Sequence, residues 1–173
     1  MNPEEIIRKM WSSNAFMNVL KIEIKEVHCG GATLVMPIDF DIHTNHWLGV
    51  HGGAMAALAD CVTGITCASV GKICTTLNMN IDYISNVRGL GTLSVTSRIV
   101  HKGQSTINIV SEIKDDAGNL ICNVTYIMFV MDKLQEVPEN GNKIKNCLEV
   151  ATINIVSCFR AVLLLRLILI CTY

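Results

Sequence analysis

Residues 51–70 are the long helix candidate in the middle of the chain, apolar nearly all round, with Asp60 as the one acidic residue among them. Such a stretch lacks a polar face, and a helix without a polar face is one that other elements of the fold enclose. The pattern therefore predicts one helix over residues 51–70, covered by the rest of the domain.

On both sides of this helix the hydrophobic pattern changes to the period of two that is typical of strands. Ile22, Ile24 and Val27 alternate with charged residues, with a one-residue slip before the turn at 29–31. Short, turn-like connections separate the later segments, so neighbouring strands should be antiparallel. The first predicted strand begins at residue 21. The other predicted strands cover residues 32–38, 75–85, 92–101, 105–114 and 120–131.

The order of these elements predicts the fold class. A first helix is expected from Pro3 to about residue 19, and a loop over residues 39–49. Two strands, the apolar helix and four further strands follow in a chain long enough for one domain with a proper core. An α+β domain, with an antiparallel sheet of about six strands wrapped around one long central helix, satisfies this order.

The chain changes character after residue 131. Residues 1–132 form the predicted domain, 133–149 a polar linker, and 150–173 a strongly apolar tail interrupted by Arg160 and Arg166. On a membrane-insertion scale the apolar residues of the tail contribute about −4 to −8 kcal/mol, and two central arginines cost about +5 to +7 kcal/mol. Three interpretations stay open: a membrane anchor, a helix packed on the domain, or the product of an alternative transcript or imperfect gene model.

The composition indicates which kinds of partner and which cellular compartment to expect. A net charge of −1 gives no support for a nucleic-acid partner, which would need a basic patch. The eight cysteines show no C-x-x-C pair, so neither disulfides nor a zinc site are expected and a reducing compartment fits. The first residues do not resemble a signal peptide. We expect a cytoplasmic or mitochondrial protein, with membrane contact only if the tail is an anchor.

The chemistry is concentrated where a polar loop meets the apolar helix. Glycines at a helix start let a ligand approach the unpaired backbone N–H groups, and the helix dipole there favours developing negative charge. Asp60 then follows among apolar neighbours, where a buried carboxylate is costly unless it is paired or chemically used. The loop is therefore a candidate oxyanion site and Asp60 a candidate acid–base group.

Each of these residues also has a purely structural interpretation. His51 could bond a neighbouring carbonyl at the helix start, and Asn45 could be a turn residue. Asp60 could be satisfied by a nearby hydroxyl such as that of Thr63. The geometry adds a constraint, since a helix climbs about 10 Å between Gly53 and Asp60. If both act on one carbonyl, they must come from different subunits of a two-fold dimer with antiparallel central helices.

The arrangement Asn-x5-His-Gly-Gly-x6-Asp, with Asn45, His51 and Asp60, resembles the hotdog-fold acyl-CoA thioesterases of the phenylacetate-degradation and thioesterase-superfamily-member-2 type. The Asn-Met-Asn-Ile-Asp-Tyr segment at 78–83 and the Lys-Gly hairpin at 102–103 resemble the same family. The resemblance covers roughly residues 10–131. It implies a hotdog fold, hydrolysis of fatty acyl-CoA to a carboxylate and free CoA, and a homo-oligomer that is at least a dimer and is expected to be a tetramer.

The resemblance also assigns catalytic roles. Asp60 matches the family's general base or nucleophile, and the amide of Gly52 or Gly53 would polarise the thioester carbonyl. Asn45 would orient water or the carbonyl. His51 would order the loop and contact the pantetheine end of the substrate.

Further positions match through the later strands. Thr76 places a hydroxyl beside the reactive centre, where relatives carry Ser. Arg88 and Lys102 are expected near the CoA phosphates, with an ordinary solvated surface as the alternative. The full set of expected substrate contacts is Gly52, Tyr83, Arg88, His101, Lys102, Gly103 and Ser105.

No metal or tightly bound organic cofactor is implied, because CoA is part of the substrate. Two other functions stay open on the same fold. One is a non-catalytic acyl-CoA-binding or scaffolding protein, and the other is a dehydratase, which also needs an acid–base residue on the central helix.

Overall fold

The computed structural model describes residues 3–137. Expectations about the rest of the linker and about the apolar tail concern residues outside this range. Within it the elements, in chain order, are α1 (Pro3–Trp11), α2 (Ala15–Val19), β1 (Glu23–His28), β2 (Gly31–Pro37), α3 (Phe40–His43), α4 (Gly52–Ala68), β3 (Lys72–Tyr83), β4 (Thr92–Lys102), β5 (Thr106–Lys114) and β6 (Leu120–Lys133).

All six strands belong to one sheet with the order β1-β2-β4-β5-β6-β3. Every neighbouring pair is antiparallel. The sheet packs around α4, which lies mainly against β2, β3 and β4. The predicted α+β architecture, six antiparallel strands wrapped around one long helix, is confirmed as a hotdog fold.

The central helix is buried on the side that faces the sheet. Leu58, Val62 and Ile65 are completely inaccessible to solvent, as a core-facing helical stripe requires. The opposite side, which carries Gly53 and Asp60, is exposed. The helix is therefore enclosed by its own chain on one side and open on the other.

The slip in the alternation of the first strand is a β-bulge. Ile24 pairs with Leu34 and Glu26 with Thr33, so Lys25 is the extra residue. A bulge inserts one residue into one strand and so shifts the inward-facing set by one position. This brings Val27 into the core with Ile22, although the two residues are five positions apart.

Two expectations about the first fifty residues are wrong. The predicted first helix is two helices, because the Asn14 side chain accepts a hydrogen bond from the Met17 N–H and starts α2. The predicted loop contains α3, which Asp39 begins by accepting from the Asp41 N–H. In both cases a side-chain cap starts a new helix too short to show an apolar period.

The packed region continues beyond residue 132. The Leu134 N–H donates to the Gly71 carbonyl, and Leu134 and Val137 are both buried in the core. None of the helices within residues 3–137 is long and apolar enough to cross a lipid bilayer.

The cysteines only partly follow the expectation of reduced thiols. Cys61, Cys67, Cys74 and Cys122 are free thiols. Cys29 is disulfide-bonded, so the expectation that no disulfide forms is wrong at this position.

Candidate active site

The first turn of α4 leaves one backbone donor available. His51 is the N-cap residue, and its Nδ1 accepts the Gly53 N–H at 2.9 Å. The His51 carbonyl accepts the N–H groups of Ala54 and Met55. Among residues 3–137 no group accepts the Gly52 N–H. The amide best placed to receive a ligand oxygen is therefore that of Gly52. The His51 ring caps the Gly53 amide, while the His51 N–H donates to the His43 carbonyl at 2.7 Å.

The loop before α4 is held by the side chain of Asn45. Its Oδ1 accepts the N–H groups of Trp47 at 2.9 Å and of Gly49 at 3.2 Å. Asn45 therefore acts as a turn residue, which is its purely structural interpretation. Its amide nitrogen has no acceptor within the described part of the chain, so it still offers two N–H donors beside the helix start.

Three of the predicted substrate contacts gather at this end of the helix. The Tyr83 hydroxyl donates to the Gly52 carbonyl at 3.0 Å, and burial raises the pKa of that phenol, which keeps it a donor at neutral pH. Arg88 is exposed and pairs through its backbone with Gly49. A cavity of about 320 Å³ opens here, lined by Gly52, Met55, Tyr83, Ile84, Ser85 and Asn86.

The carboxylate lies further along the same helix. The Thr76 hydroxyl, on β3, donates to Asp60 Oδ1 at 2.9 Å. The Thr63 hydroxyl donates to the backbone carbonyl of Asp60 and not to its carboxylate, which accepts from Thr76. Asp60 is exposed in the single chain, contrary to the expectation of a buried carboxylate, because it lies on the helix side that the sheet does not cover.

The site residues of one chain thus form two separate groups. We call Asn45, His51, Gly52, Tyr83 and Arg88 the helix-start group, and Asp60 with Thr76 the carboxylate group. Asp60 follows Gly52 by eight positions along the helix, a rise of about 12 Å. If the carbonyl group of a bound ligand lies within reach of Asp60, it is therefore out of reach of the Gly52 N–H of the same chain.

The predicted CoA-contacting hairpin lies at the end of the sheet that carries Thr76. His101, Lys102, Gly103 and Ser105 occupy the end of β4 and its turn into β5, where the Gly103 N–H donates to the Thr106 carbonyl at 2.8 Å. Thr106 pairs with Phe129, which pairs in turn with Thr75. Tyr83 lies seven residues further along β3 than Thr76, about 23 Å away. One chain does not bring this hairpin to the helix-start group.

One contact next to the carboxylate group was not predicted from the sequence. The hydroxyl of Tyr126, buried on β6, donates to the Ala59 carbonyl at 2.9 Å and lies 2.7 Å from Ser111 Oγ. Burial raises the pKa of this phenol. Tyr126 therefore fixes the peptide group that precedes Asp60. The alternation of β6 predicts an inward tyrosine, but nothing in the pattern predicts which carbonyl it meets.

Comparisons with known proteins bear on the family and the fold of this chain. The thioesterase superfamily matches residues 49–122, which contain α4, β3, β4 and β5. A Vibrio cholerae protein named "Putative esterase" is 33% identical over 116 residues, 64% of this chain and 75% of that protein.

Solved structures match the fold over most of the described residues. The Escherichia coli PaaI protein of the phenylacetic acid degradation operon superposes with a TM-score of 0.72 and 21% identity, covering 76% of this chain and 94% of that one. A Streptococcus pneumoniae protein described as a hypothetical thioesterase, solved with coenzyme A, gives a TM-score of 0.67 and 24% identity, covering 72% and 97%. A thioesterase from Haemophilus influenzae gives 0.66 and 22%, covering 76% and 91%.

Proposed function

The chain belongs to the thioesterase superfamily, and from this premise we propose that it hydrolyses acyl-CoA thioesters to a carboxylate and free CoA. The observation that carries the proposal is that α4 presents two groups with complementary roles. One is an accessible carboxylate, held by Thr76, and the other is a backbone N–H at the start of the helix, without an acceptor among residues 3–137. Coenzyme A in the pneumococcal structure supports the substrate class. The motif around Asn45 also resembles that of the animal acyl-coenzyme A thioesterase 13 type.

In this proposal the helix-start group binds the thioester carbonyl. Attack on the carbonyl carbon places negative charge on the oxygen, and the Gly52 N–H at the positive end of α4 stabilises that charge. Asn45 supplies a second donor from its amide nitrogen. His51 holds the turn by capping Gly53, which keeps the Gly53 N–H occupied and directs the oxygen to Gly52.

The carboxylate group would perform the attack. Asp60 either takes a proton from water, which then adds to the carbonyl, or adds to it directly to give an anhydride that water cleaves. In the first route the adduct with water then expels the CoA thiolate. In the second the thiolate is expelled as the anhydride forms, before water cleaves the anhydride. In both routes the thiolate gains a proton. Thr76 orients the carboxylate through its hydroxyl, so that the other oxygen, Oδ2, faces the reactants.

Because the two groups are too far apart in one chain, the proposal takes each site from two chains. β3 is twelve residues long and lies at an edge of the sheet, where its outer backbone groups can pair with a second strand. Pairing of β3 with its two-fold copy would bring two central helices together in opposite directions. Each Gly52 would then face the Asp60 of the partner, giving two identical sites. A tetramer of two such dimers is the larger assembly that we propose.

The same arrangement provides for the CoA moiety. Arg88 from the helix-start group and Lys102 from the hairpin are the two cations we assign to the CoA phosphates, which bear several negative charges. His101, Gly103 and Ser105 of one chain would approach the helix-start group of its partner. Fatty acyl chains are the acyl groups that we propose.

The test is release of free thiol from a panel of acyl-CoA esters of increasing chain length, measured with a thiol reagent on the full-length protein. Hydrolysis of at least one ester, with carboxylate and CoA formed in equal amounts, supports the proposal. Binding of the esters without thiol release would show a non-catalytic acyl-CoA-binding protein instead. Loss of water from a 3-hydroxyacyl ester with the thioester intact would show a dehydratase.

A further inference from the structure

His43 is a buried histidine to which the proposed reaction gives no role. It is the last residue of α3 and is completely inaccessible to solvent. Its Nδ1 accepts the Asp39 N–H at 3.0 Å, and its Nε2 lies 3.0 Å from the Leu20 carbonyl oxygen. A buried imidazole with both nitrogens bonded to backbone groups holds two segments of the chain together.

These two contacts determine where the ring carries its proton. The Asp39 N–H needs a lone pair as its acceptor, so Nδ1 is unprotonated. Nε2 then bears the one ring proton of a neutral imidazole and donates it to the Leu20 carbonyl. Leu20 is the C-cap residue of α2, and Met17 of that helix is buried in the core. The ring of His43 therefore fastens α3 to the end of a firmly packed helix.

The backbone of His43 extends this connection to α4. Its carbonyl accepts the His51 N–H at 2.7 Å, and the next residue, Thr44, forms an antiparallel bridge with Val50. The two ends of the loop over residues 43–51 are thus bonded to each other. Because His51 is the N-cap residue of α4, the position of His43 determines where the loop delivers the chain to the helix start.

The direction of the Gly52 N–H depends on His51. That N–H belongs to the planar peptide group that joins the two residues, so it turns with the His51 backbone. His51 is held at three points: its N–H by the His43 carbonyl, its ring by the Gly53 N–H, and its carbonyl by two N–H groups of the first turn. Of these three contacts, the one with His43 comes from outside α4.

We propose that His43 is a positioning residue for the hydrolysis, which sets the direction of the Gly52 N–H through the backbone of His51. The inference rests on the proposed thioesterase function. His43 is buried and acts at a distance from the substrate, whereas the Gly52 N–H meets the negative charge that develops on the thioester oxygen. An interaction that strengthens as this charge develops contributes to kcat more than to KM.

Two substitutions with unbranched side chains of similar length separate the hydrogen bond of the ring from its volume. His43→Gln keeps an N–H donor for the Leu20 carbonyl, and His43→Met has none. A misplacement of about 1 Å costs up to about a hundredfold in rate. We expect kcat of the Met variant to fall about tenfold while KM changes by less than about threefold. The Gln variant should recover most of the loss.

Ser69→Ala is the matched control for a loss of stability. Ser69 is also completely buried, and its hydroxyl donates to the Thr66 carbonyl and accepts the Gly30 N–H. It lies just after α4, at the opposite end from Gly52. The control should lower the midpoint of urea unfolding and leave kcat close to that of the wild type. A loss of kcat in the control equal to that of the Met variant would show that His43 acts through stability alone and would overturn the proposal.

Amide hydrogen exchange of the full-length protein tests the positioning without any measurement of turnover. Peptides that span residues 44–55 contain the closed loop and the first turn of α4. In His43→Met their amides should exchange at least about tenfold faster than in the wild type, because the loop loses its anchor on α2. Ser69→Ala should leave exchange in these peptides unchanged. Unchanged exchange in His43→Met would overturn the role of His43 in the loop.

The outcomes separate this inference from the proposed function. If the wild type hydrolyses no acyl-CoA ester, the proposed function fails, and the exchange measurement still decides whether His43 holds the loop. Equal kcat of the Met and Gln variants overturns the role of the bond to Leu20. If the Met variant does not fold, nitrogen-15 spectra of histidine-labelled wild type decide. A proton on Nε2 of His43 supports the anchor on Leu20, and a proton on Nδ1 overturns it.

Discussion

The hydroxyl of Thr76 donates to Oδ1 of Asp60 at 2.9 Å, and this bond joins the central helix to the edge strand of the sheet. The carboxylate is therefore oriented by the strand through which we propose that two chains pair. In that assembly, formation of the dimer and orientation of the reactive group depend on the same twelve residues of β3.

Removing the Thr76 hydroxyl should lower kcat more than it changes KM. Thr76→Val keeps the branched shape but leaves Asp60 Oδ1 without its donor, and a hydrogen bond to a charged group is worth about 1.5–3 kcal/mol. We expect kcat for the best acyl-CoA ester to fall by about tenfold to a hundredfold. Thr76→Ser, which keeps the hydroxyl, is the control. Equal turnover of the Val and Ser variants would show that the bond has no role in the reaction.

The Gly52 amide can be removed with little strain on the helix. Gly52 is the first residue of α4, a position that proline favours, and His51 already has the extended backbone that a following proline requires. Gly52→Pro should therefore keep the helical circular dichroism signal while kcat falls about a hundredfold to a thousandfold, as for other oxyanion donors. Gly52→Ala keeps the N–H, and its added methyl would lie 3.4 Å from the Tyr83 ring, an ordinary contact.

Gly52→Ala should accordingly retain far more activity than Gly52→Pro. If the two variants lose turnover equally, the loss comes from crowding at the helix start and the Gly52 N–H does not bind the carbonyl oxygen.

Mixing two inactive variants tests whether a site takes residues from two chains. A dimer of one Asp60→Asn chain and one Gly52→Pro chain has one site with both groups intact and one site with neither. Random exchange makes half of the dimers mixed, so about a quarter of the wild-type sites should be active. The measurement is turnover after the variants are mixed under exchanging conditions, with each variant alone as control. No recovery in a confirmed mixed dimer would place the whole site in one chain.

Tyr126 should contribute to stability through its buried hydroxyl. Tyr126→Phe leaves Ser111 Oγ without this partner and removes a donor from the Ala59 carbonyl. One unsatisfied buried group costs about 1–3 kcal/mol, and Ser111 Oγ is the one that loses its partner, so the free energy of unfolding in urea should fall by about that amount. Tyr83→Phe is the control, since its hydroxyl also donates to a carbonyl but from an exposed ring, and should change stability by less than about 0.5 kcal/mol. Similar effects of the two substitutions would contradict the assignment.

The sequence predicts most of the fold because hydrophobic period is a local property. The helix over 51–70, the strands after it and the bulge in the first strand all follow from which positions are apolar. The break at Asn14 and the short helix after Asp39 do not, because each depends on one side-chain hydrogen bond. The core contact of Val137 does not follow either, since it is a long-range contact in a polar stretch.

The candidate site, like the fold, can be predicted from the sequence only in part. The glycines before α4 and the lone Asp60 can be singled out from the sequence, and the role of Asn45 is implied by the family resemblance. The helical rise between Gly53 and Asp60 already indicates two separate groups. Which glycine amide is available cannot be predicted, because it depends on the rotamer with which His51 caps the helix. The contact of Tyr126 with Ala59 depends on how β6 lies across the helix.

The most direct test of the account is the turnover of Asp60→Asn with the best acyl-CoA ester. Asparagine keeps the shape of the side chain and its oxygen can still accept from Thr76, but it is neither a base nor a nucleophile. The account predicts a folded protein of unchanged oligomeric state that binds the ester while kcat falls at least about a hundredfold. Turnover close to that of the wild type in a folded Asp60→Asn protein would contradict the central claim that this carboxylate carries the reaction.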